Sequence, residues 1–360
     1  MHERAPLPGN GDERNASAAG VSVRAPDSRV DFSWRCPRCR STLEPRSAAL
    51  VCSGCAHEYP VFGTIPDFRV DLPNWIDVDT DRRKASTLVE RSRSLSTEEL
   101  VAAVFRHRPG WTERDIERRT RQLLDNVPRL VRELDGWLAA ATAGPLPFLD
   151  LGCGGGPLVA AAAARGRAAI GIDVSLEWLV VAERLIRDNG GVPRLAAAMG
   201  EALPLSDGSV GGVVSLDVIE HVGNQAGYLR EIDRVLAGGG VCALATPNRY
   251  SLSAEPHVSV WGVGWLPRRW QKSYVRWRSG KPYDYCRLLS VRELRRLIRM
   301  RTRLEPRMLV APIPVEEISR FRASKAVVAR AYNWILRFSA ARVMVLAVCP
   351  FFRVIARKPV

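Results

Sequence analysis

Apolar residues along this chain follow two different periods. Leu123, Leu124, Val127, Leu130, Val131, Leu134, Trp137 and Leu138 recur at three- and four-residue spacing, the stripe of an amphipathic helix. Residues 82–143 read mostly as helices of this kind. The period then changes. Phe148-Leu149-Asp150-Leu151 is a short buried strand, and Ala168-Ala169-Ile170-Gly171-Ile172-Asp173 is the next, with a helix-length segment between them. Further strands are expected at Val241 to Asn248, Met308 to Val315 and Phe351 to Lys358. Strands alternating with helices predict an α/β fold built on a doubly wound, Rossmann-like sheet. No segment repeats. Residues 1–30 are rich in Pro, Gly, Asn, Ala and Arg without periodicity, and are expected to be disordered.

The first core strand runs into Gly152-Cys153-Gly154-Gly155-Gly156. Glycines there let the backbone turn tightly and approach a ligand. Asp173 ends the following strand about 20 residues later, where a carboxylate can accept hydrogen bonds from ribose hydroxyls. Asp150 stands just before the loop and Pro157 just after it. A carboxylate in that place suits a cationic ligand better than a diphosphate. S-Adenosylmethionine, which carries a sulfonium and an amino group but no phosphate, has that character.

Downstream motifs carry a resemblance. Gly200-Glu201-Ala202-Leu203-Pro204-Leu205-Ser206-Asp207-Gly208-Ser209, Ser215-Leu216-Asp217-Val218-Ile219-Glu220-His221-Val222, Leu229 to Gly240, and a strand ending Thr246-Pro247-Asn248 follow the glycine loop in order. The span from Phe148 to Asn248 resembles the class I S-adenosylmethionine-dependent methyltransferases, which implies a seven-stranded sheet. The resemblance also implies roles. Gly152, Gly154 and Gly156 line the methionine moiety with Asp150 near its amino group, Asp173 holds the ribose, and Met199 and Gly200 lie beside the adenine. Asp217 and His221 are candidates at the reaction centre, His221 as a general base for O-methyl transfer. Alternatively, Glu220-His221 opens a helix and supports the pocket floor, because methyl transfer from a sulfonium needs little beyond alignment. Two positions depart from the family pattern: Met199, where Asp is common, and Val210-Gly211, where Phe-Asp is common.

Cys36-Pro37-Arg38-Cys39 and Cys52-Ser53-Gly54-Cys55 are two C-x-x-C knuckles. Four thiolates in this spacing predict a closed structural Zn2+ site, with a short hairpin between the knuckles. Disulfides are the rival. The tight pairs and the lack of a secretory signal ahead of them favour metal and a cytoplasmic chain. Cys36 to Phe68 resembles the small zinc-ribbon domain that partners or precedes several methyltransferases. The expected organisation is a disordered segment 1–30, a ribbon at 31–72, a helical linker or cap at 73–143, and a methyltransferase domain at 144–360. That last domain carries an insertion at 250–290 and ends in a basic helix and a last strand.

The formal net charge is +15, from 53 Lys and Arg against 38 Asp and Glu. Five lysines among so many arginines point to base composition before nucleic acid, so distribution matters more than total. The insertion interleaves Trp265, Tyr283 and Tyr285 with arginines, as an acceptor site for a stacked or anionic group would. Residues 318–360 hold no acidic side chain and alternate arginine with aromatic and aliphatic residues. Such a segment suits the inner surface of an anionic membrane, or plain packing on the sheet.

These features predict methyl transfer to a small or lipid-linked metabolite such as an isoprenoid, quinone precursor or glycan, at oxygen. The Glu-His-Val and Thr-Pro-Asn neighbourhoods resemble those of ubiquinone-biosynthesis O-methyltransferases. An RNA methyltransferase using the ribbon and arginines is the second reading, and a non-catalytic cofactor-binding scaffold the third. Thr246-Pro247-Asn248 is not the Asn-Pro-Pro-Tyr loop of enzymes that methylate planar nitrogens.

Overall fold

The computed structural model describes residues 33–70, 72, 76–107, 111–284, 286–313, 315–319 and 321–360. The expected disorder of residues 1–30 lies outside them. Strands β1 (Leu43–Arg46) and β2 (Ala49–Cys52) pair as an antiparallel hairpin between the two knuckles. Strands β3 (Glu58–Phe62) and β4 (Ile65–Pro66) complete a four-stranded sheet in sequence order.

Helices α1 (Val78–Arg91), α2 (Thr97–Arg106), α3 (Glu113–Leu124), α4 (Asn126–Asp135) and α5 (Ala139–Thr142) follow, in the region expected to be helical. Side chains fix the starts of the first three. Asp77 caps α1, while Ser96 with Glu99 and Thr112 with Asp115 form reciprocal capping boxes. The stripe read from the sequence is divided between two helices, with Leu123 and Leu124 at the end of α3 and Val127, Leu130 and Leu134 buried on α4, which packs against the helix that follows the glycine loop.

The main sheet begins with β5 (Phe148–Leu151), α6 (Pro157–Ala164), β6 (Ala169–Asp173), α7 (Leu176–Asp188) and β7 (Leu195–Ala197). It continues with β8 (Val210–Leu216), α8 (Gln225–Val235) and β9 (Leu236–Pro247). Helices α9 (Arg268–Ser279) and α10 (Val291–Arg301) precede β10 (Glu305–Val310), and α11 (Val315–Ile318), α12 (Ala323–Ile335) and α13 (Ser339–Val348) precede β11 (Phe351–Arg357). The seven strands lie in the order β10-β11-β9-β8-β5-β6-β7, with β11 antiparallel between β9 and β10. From β5 the chain winds outward through β6 and β7, then returns to β8 on the other side of β5. That reversal opens a crevice at the carboxyl ends of the central strands, where ligands bind in open α/β sheets.

Two strand boundaries differ from expectation. The late strand is Glu305–Val310, not Met308 to Val315, because Pro312 has no N–H to continue the ladder with β11. The fifth strand of the core begins at Leu236 and carries Gly238 to Gly240 inside it, and its register against β8 shifts between Val210 and Gly212.

The small sheet docks on the free edge of the large one. Phe68 N–H donates to the Ala197 carbonyl of β7 at 2.7 Å, and Arg35 N–H donates to the Pro204 carbonyl at 3.0 Å. Tyr59 and Phe68 are fully buried in the same apolar cluster as Ile170, Ile172 and Ala196 of the large sheet. This covers an edge that would otherwise present unpaired backbone groups.

Candidate active site

The glycine loop is shaped by close approach. Gly152 has φ of 84°, and a Cβ there would sit 2.2 Å from Val218 Cγ2. No side chain fits, so the loop lies against the turn after β8. Gly154 N–H donates to Asp173 Oδ2 at 2.8 Å, and Ser175 N–H donates to Asp173 Oδ1 at 2.9 Å. The carboxylate that ends β6 is thereby held at the mouth of the crevice. Burial raises the Asp173 carboxyl above its ordinary range. Asp150, buried on β5, is pushed up to about 8 by desolvation and then by the neighbouring charge of Asp173. The buried carboxyl of Asp150 and the half-buried one of Asp173 make this corner electrostatically suited to a positive ligand.

Met199 and Gly200 form the facing wall. A Cβ on Gly200 would meet Tyr228 Cε2 at 2.4 Å, and the Tyr228 hydroxyl is fixed by Ser215 Oγ at 2.6 Å. Beyond β8 the backbone turns sharply. Asp217 is left-handed, with φ of 58°, and Ile219–His221 forms a 3-10 turn rather than the opening of an α-helix. Burial raises the carboxyls of Asp217 and Glu220, the latter to about 7. Glu220 accepts a hydrogen bond from Thr246 Oγ1 at 2.9 Å.

Gly152, Asp173, Met199, Gly200, Asp217 and His221 all line one cavity of about 1240 Å3. That exceeds the volume of a single drug-sized ligand, so a nucleoside cofactor and a second molecule fit together. Asp150 on β5 and Gly154 and Gly156 of the loop are not among the lining residues. Trp265 also stands apart: its indole N–H donates to the Ser251 carbonyl at 3.0 Å and half its surface faces solvent. Tyr283 is buried in a satellite cluster with Val258, Val260, Val263 and Val275. Tyr285 falls outside the described residues.

Several lining residues had no sequence expectation attached, among them three from outside the core strands and their loops. Val70 arrives from the small sheet, Arg119 from α3, and His257 from the insertion after β9. The rings of His221 and His257 meet edge to face, with centroids 4.8 Å apart. His257 Nδ1 lies 2.5 Å from Glu255 Oε1. Its sequence signal was slight: one of five histidines, within an aperiodic stretch.

In the small sheet the sulfurs of Cys36, Cys39, Cys52 and Cys55 gather so that all lie within 4.8 Å of one another. Backbone N–H groups of Gly54 and Cys55 point at Cys52 Sγ, each at 3.4 Å. None of the four is in a disulfide.

Residues 149–244 match the protein family described as "Methyltransferase domain". Together with the seven-stranded order and the crevice at its switch point, this gives the domain the class I S-adenosylmethionine-dependent methyltransferase fold. The chain is similar to a ubiquinone biosynthesis O-methyltransferase of Parvibaculum lavamentivorans, 32% identical over 126 residues that make up 34% of this chain and 49% of that one. It is similar to one from Cereibacter sphaeroides at 29% over 176 residues, covering 48% of this chain and 66% of the other. A probable S-adenosylmethionine-dependent methyltransferase of Mycobacterium tuberculosis is 51% identical over 51 residues, 14% of this chain and 19% of that protein. The chain thus spans between about half and two thirds of the ubiquinone-pathway relatives.

Proposed function

We propose that this protein transfers a methyl group from S-adenosylmethionine to a hydroxyl of a small or lipid-linked metabolite. The observation that carries the reading is the cavity itself. One wall presents Gly152, Asp173, Met199 and Gly200, and the other Asp217, His221 and His257. In this reading Asp173 accepts from the ribose hydroxyls, Asp150 attracts the amino group through the loop, and Met199 packs on the adenine. The acceptor oxygen lies in line with the sulfonium methyl. Its attack forms the O–C bond and breaks the C–S bond, leaving a neutral thioether, while the hydroxyl proton passes to a titratable group of the far wall. The names of the relatives, O-methyltransferases of a quinone pathway, support oxygen as the acceptor atom.

The four-cysteine cluster fits a structural zinc ion. Tetrahedral bonds of about 2.3 Å place sulfurs about 3.8 Å apart. Cys36 and Cys55 stand at 3.7 Å, Cys39 and Cys52 at 3.2 Å, and backbone donors already face the sulfur of Cys52. Bound there, zinc would staple a sheet too small to hold together on apolar burial alone.

A lipid-linked acceptor also gives the basic carboxyl-terminal region a use. Trp334, Phe338, Val343 and Met344 stand exposed on α12 and α13, flanked by Arg330, Arg337 and Arg342. No helix among the described residues is long and apolar enough to cross a membrane. Exposed aromatics beside arginine are suited to lying on an anionic surface.

The experiment is transfer of labelled methyl from S-adenosylmethionine into fractionated extract. Label in the organic-soluble metabolite fraction is expected. Label in RNA would replace this reading with a nucleic-acid methyltransferase, and no label in any fraction would leave only a cofactor-binding protein.

A further inference from the structure

The far wall of the cavity holds a second group of soft ligands. One donor atom from each of His221, His257 and Cys286 lies within 4.8 Å of the other two. Cys286 Sγ stands 3.5 Å from His257 Nδ1. The three residues come from separate parts of the chain: the turn after β8, the start of the insertion, and the segment between α9 and α10. Their convergence is therefore a product of the fold and not of local spacing.

The surroundings lean negative. Asp217 lines the same wall. Glu255 is buried, and its Oε2 accepts from the N–H groups of both His257 and Val258 at 2.9 Å, so it fixes the position of the His257 ring that its other oxygen contacts. Because that contact is to Nδ1, it leaves Nε2 as the nitrogen free to bind metal, the arrangement of a carboxylate-oriented metal-binding imidazole. Glu220 is nine-tenths buried and more, and its Oε1 has no hydrogen-bond partner among the described residues. Its field, with that of Glu255, acts on both His257 and Cys286. Three carboxyls thus stand around two imidazoles and a thiol, an environment suited to a cation.

We infer that His221, His257 and Cys286 form a zinc site, separate from the four-cysteine cluster, with its open position facing the acceptor. Two imidazoles and a thiolate select zinc over magnesium or calcium, which prefer oxygen ligands. Three protein ligands and a fourth position on a cavity are the arrangement of catalytic zinc rather than structural zinc. The use of the site rests on the methyl-transfer reading above. A hydroxyl of the acceptor bound at the open position loses its proton more readily, as zinc-bound water does. Asp217 receives that proton, the oxygen attacks the sulfonium methyl, and the C–S pair stays on sulfur.

The test counts metal in the full-length protein. After loading with zinc and removal of excess, elemental analysis should find about two ions per chain. Cys286→Ser and His257→Gln should each lower this to about one, and Cys36→Ser should independently remove the other. Calorimetry with S-adenosylmethionine checks that each variant is folded. Cobalt loading adds a spectroscopic arm: thiolate-to-cobalt absorption should survive in Cys36→Ser and vanish when Cys286→Ser is added. Two ions unaffected by Cys286→Ser and His257→Gln would overturn the site, as would a single ion that Cys36→Ser abolishes. Zinc that depends on Cys286, with methyl transfer undiminished in His257→Gln, would remove its catalytic use. None of the metal counts depends on identifying the acceptor, so failure of the methyl-transfer reading leaves them interpretable.

Discussion

Arg69 Nη1 donates to the carbonyl oxygen of Val174 at 2.9 Å, and Val174 directly follows Asp173. The same guanidinium is fully buried. It bonds Asp67 through Nε at 2.8 Å and Nη2 at 2.8 Å, and Asp81 through Nη1 at 2.6 Å. Asp81 in turn accepts from the N–H of Leu176 at 3.1 Å. One buried ion cluster thus ties the small sheet, α1 and the loop that follows Asp173.

Arg69→Ala should therefore act on two observables. It strands Asp67 without its main partner, which costs about 3–5 kcal/mol of folding stability. It also frees the loop after β6, so S-adenosylmethionine should bind about tenfold more weakly, or ~1.4 kcal/mol. Denaturant unfolding and calorimetry measure the two separately. A loss of stability with cofactor affinity unchanged at a temperature where the variant is folded would show that the cluster holds the sheets together but not the site.

The carboxyls behind the glycine loop predict a pH dependence with a definite sign. Asp150 titrates near 3.9 in an unfolded chain and is pushed up to about 8 by burial and by Asp173 in the folded one. The folded chain keeps a proton that the unfolded chain has lost, so the contribution to stability is full below about pH 4 and is lost as pH rises toward about 8. A cationic cofactor reverses the preference by favouring the carboxylate. Its binding should release a proton below pH 8, and its affinity should rise with pH over that window. Calorimetry in two buffers of different ionisation enthalpy detects the released proton. Asp150→Asn should flatten both trends; an Asn variant with the same pH slope would assign them to other groups.

Gly200 offers a steric test of the cavity wall it forms with Met199. A methyl group there meets the Tyr228 ring at 2.4 Å, and Tyr228 is locked by Ser215 and by full burial. Gly200→Ala should cost about 1–3 kcal/mol of stability by overpacking. Gly200→Ala combined with Tyr228→Leu should recover part of that loss, because the larger neighbour is what the methyl displaces. Thermal unfolding of the single and double variants decides, and no recovery would mean that the backbone at residue 200 rather than the ring is the constraint.

These sites were unequally legible in the sequence. The glycine loop, Asp173 and the two cysteine knuckles could be read directly, because each is a local demand: Gly152 has no room for a Cβ beside Val218, and a C-x-x-C turn brings its own two sulfurs together. Cys286 and His257 could not. They lie in a stretch whose first part pairs only through the isolated bridge of Glu255 with Val260, so no period announced which side chains face inward. Cys286 read as one of several scattered buried cysteines, and only the tertiary path places it beside His257. Trp265 drew attention because arginines surround it. Its indole N–H is bonded to the Ser251 carbonyl, and the aromatic-cation pattern alone does not reveal that partner. Arg119 sits on a helix whose exposed positions are mostly charged, so nothing marked it as an arginine that lines the cavity.

Removing a thiolate of the small sheet tests what that sheet owes to the ion proposed for its four cysteines. Cys36 is buried, with its sulfur 3.1 Å from the Tyr59 hydroxyl, and Tyr59 packs edge-on to Phe68, the residue that bonds β7. Cys36→Ser should release the ribbon ion and loosen Tyr59 and Phe68. Hydrogen exchange should then rise at Phe68 and along the β7 edge while the interior strands β5 and β8 stay protected. Protection lost across the whole sheet would instead make the ribbon part of one cooperative unit.

The basic region of α12 and α13 predicts attachment to a surface rather than insertion across one. Trp334 and Phe338 meet edge to face with centroids 5.0 Å apart and are both more than half exposed, and no acidic residue lies between Ser319 and Val360 to repel an anionic bilayer. The intact chain should float with vesicles containing anionic lipid and not with purely zwitterionic ones. Raising the salt should detach it, since charge attraction between exposed groups is screened within about 8–10 Å at physiological ionic strength. Arg330→Glu with Arg337→Glu should weaken flotation without altering S-adenosylmethionine affinity, because both arginines lie outside the lining of the cofactor cavity. Trp334→Ser should weaken it further by removing the apolar contact. Equal flotation with anionic and zwitterionic vesicles, or none with either, would assign α12 and α13 to packing alone and leave the acceptor to reach the cavity from solution.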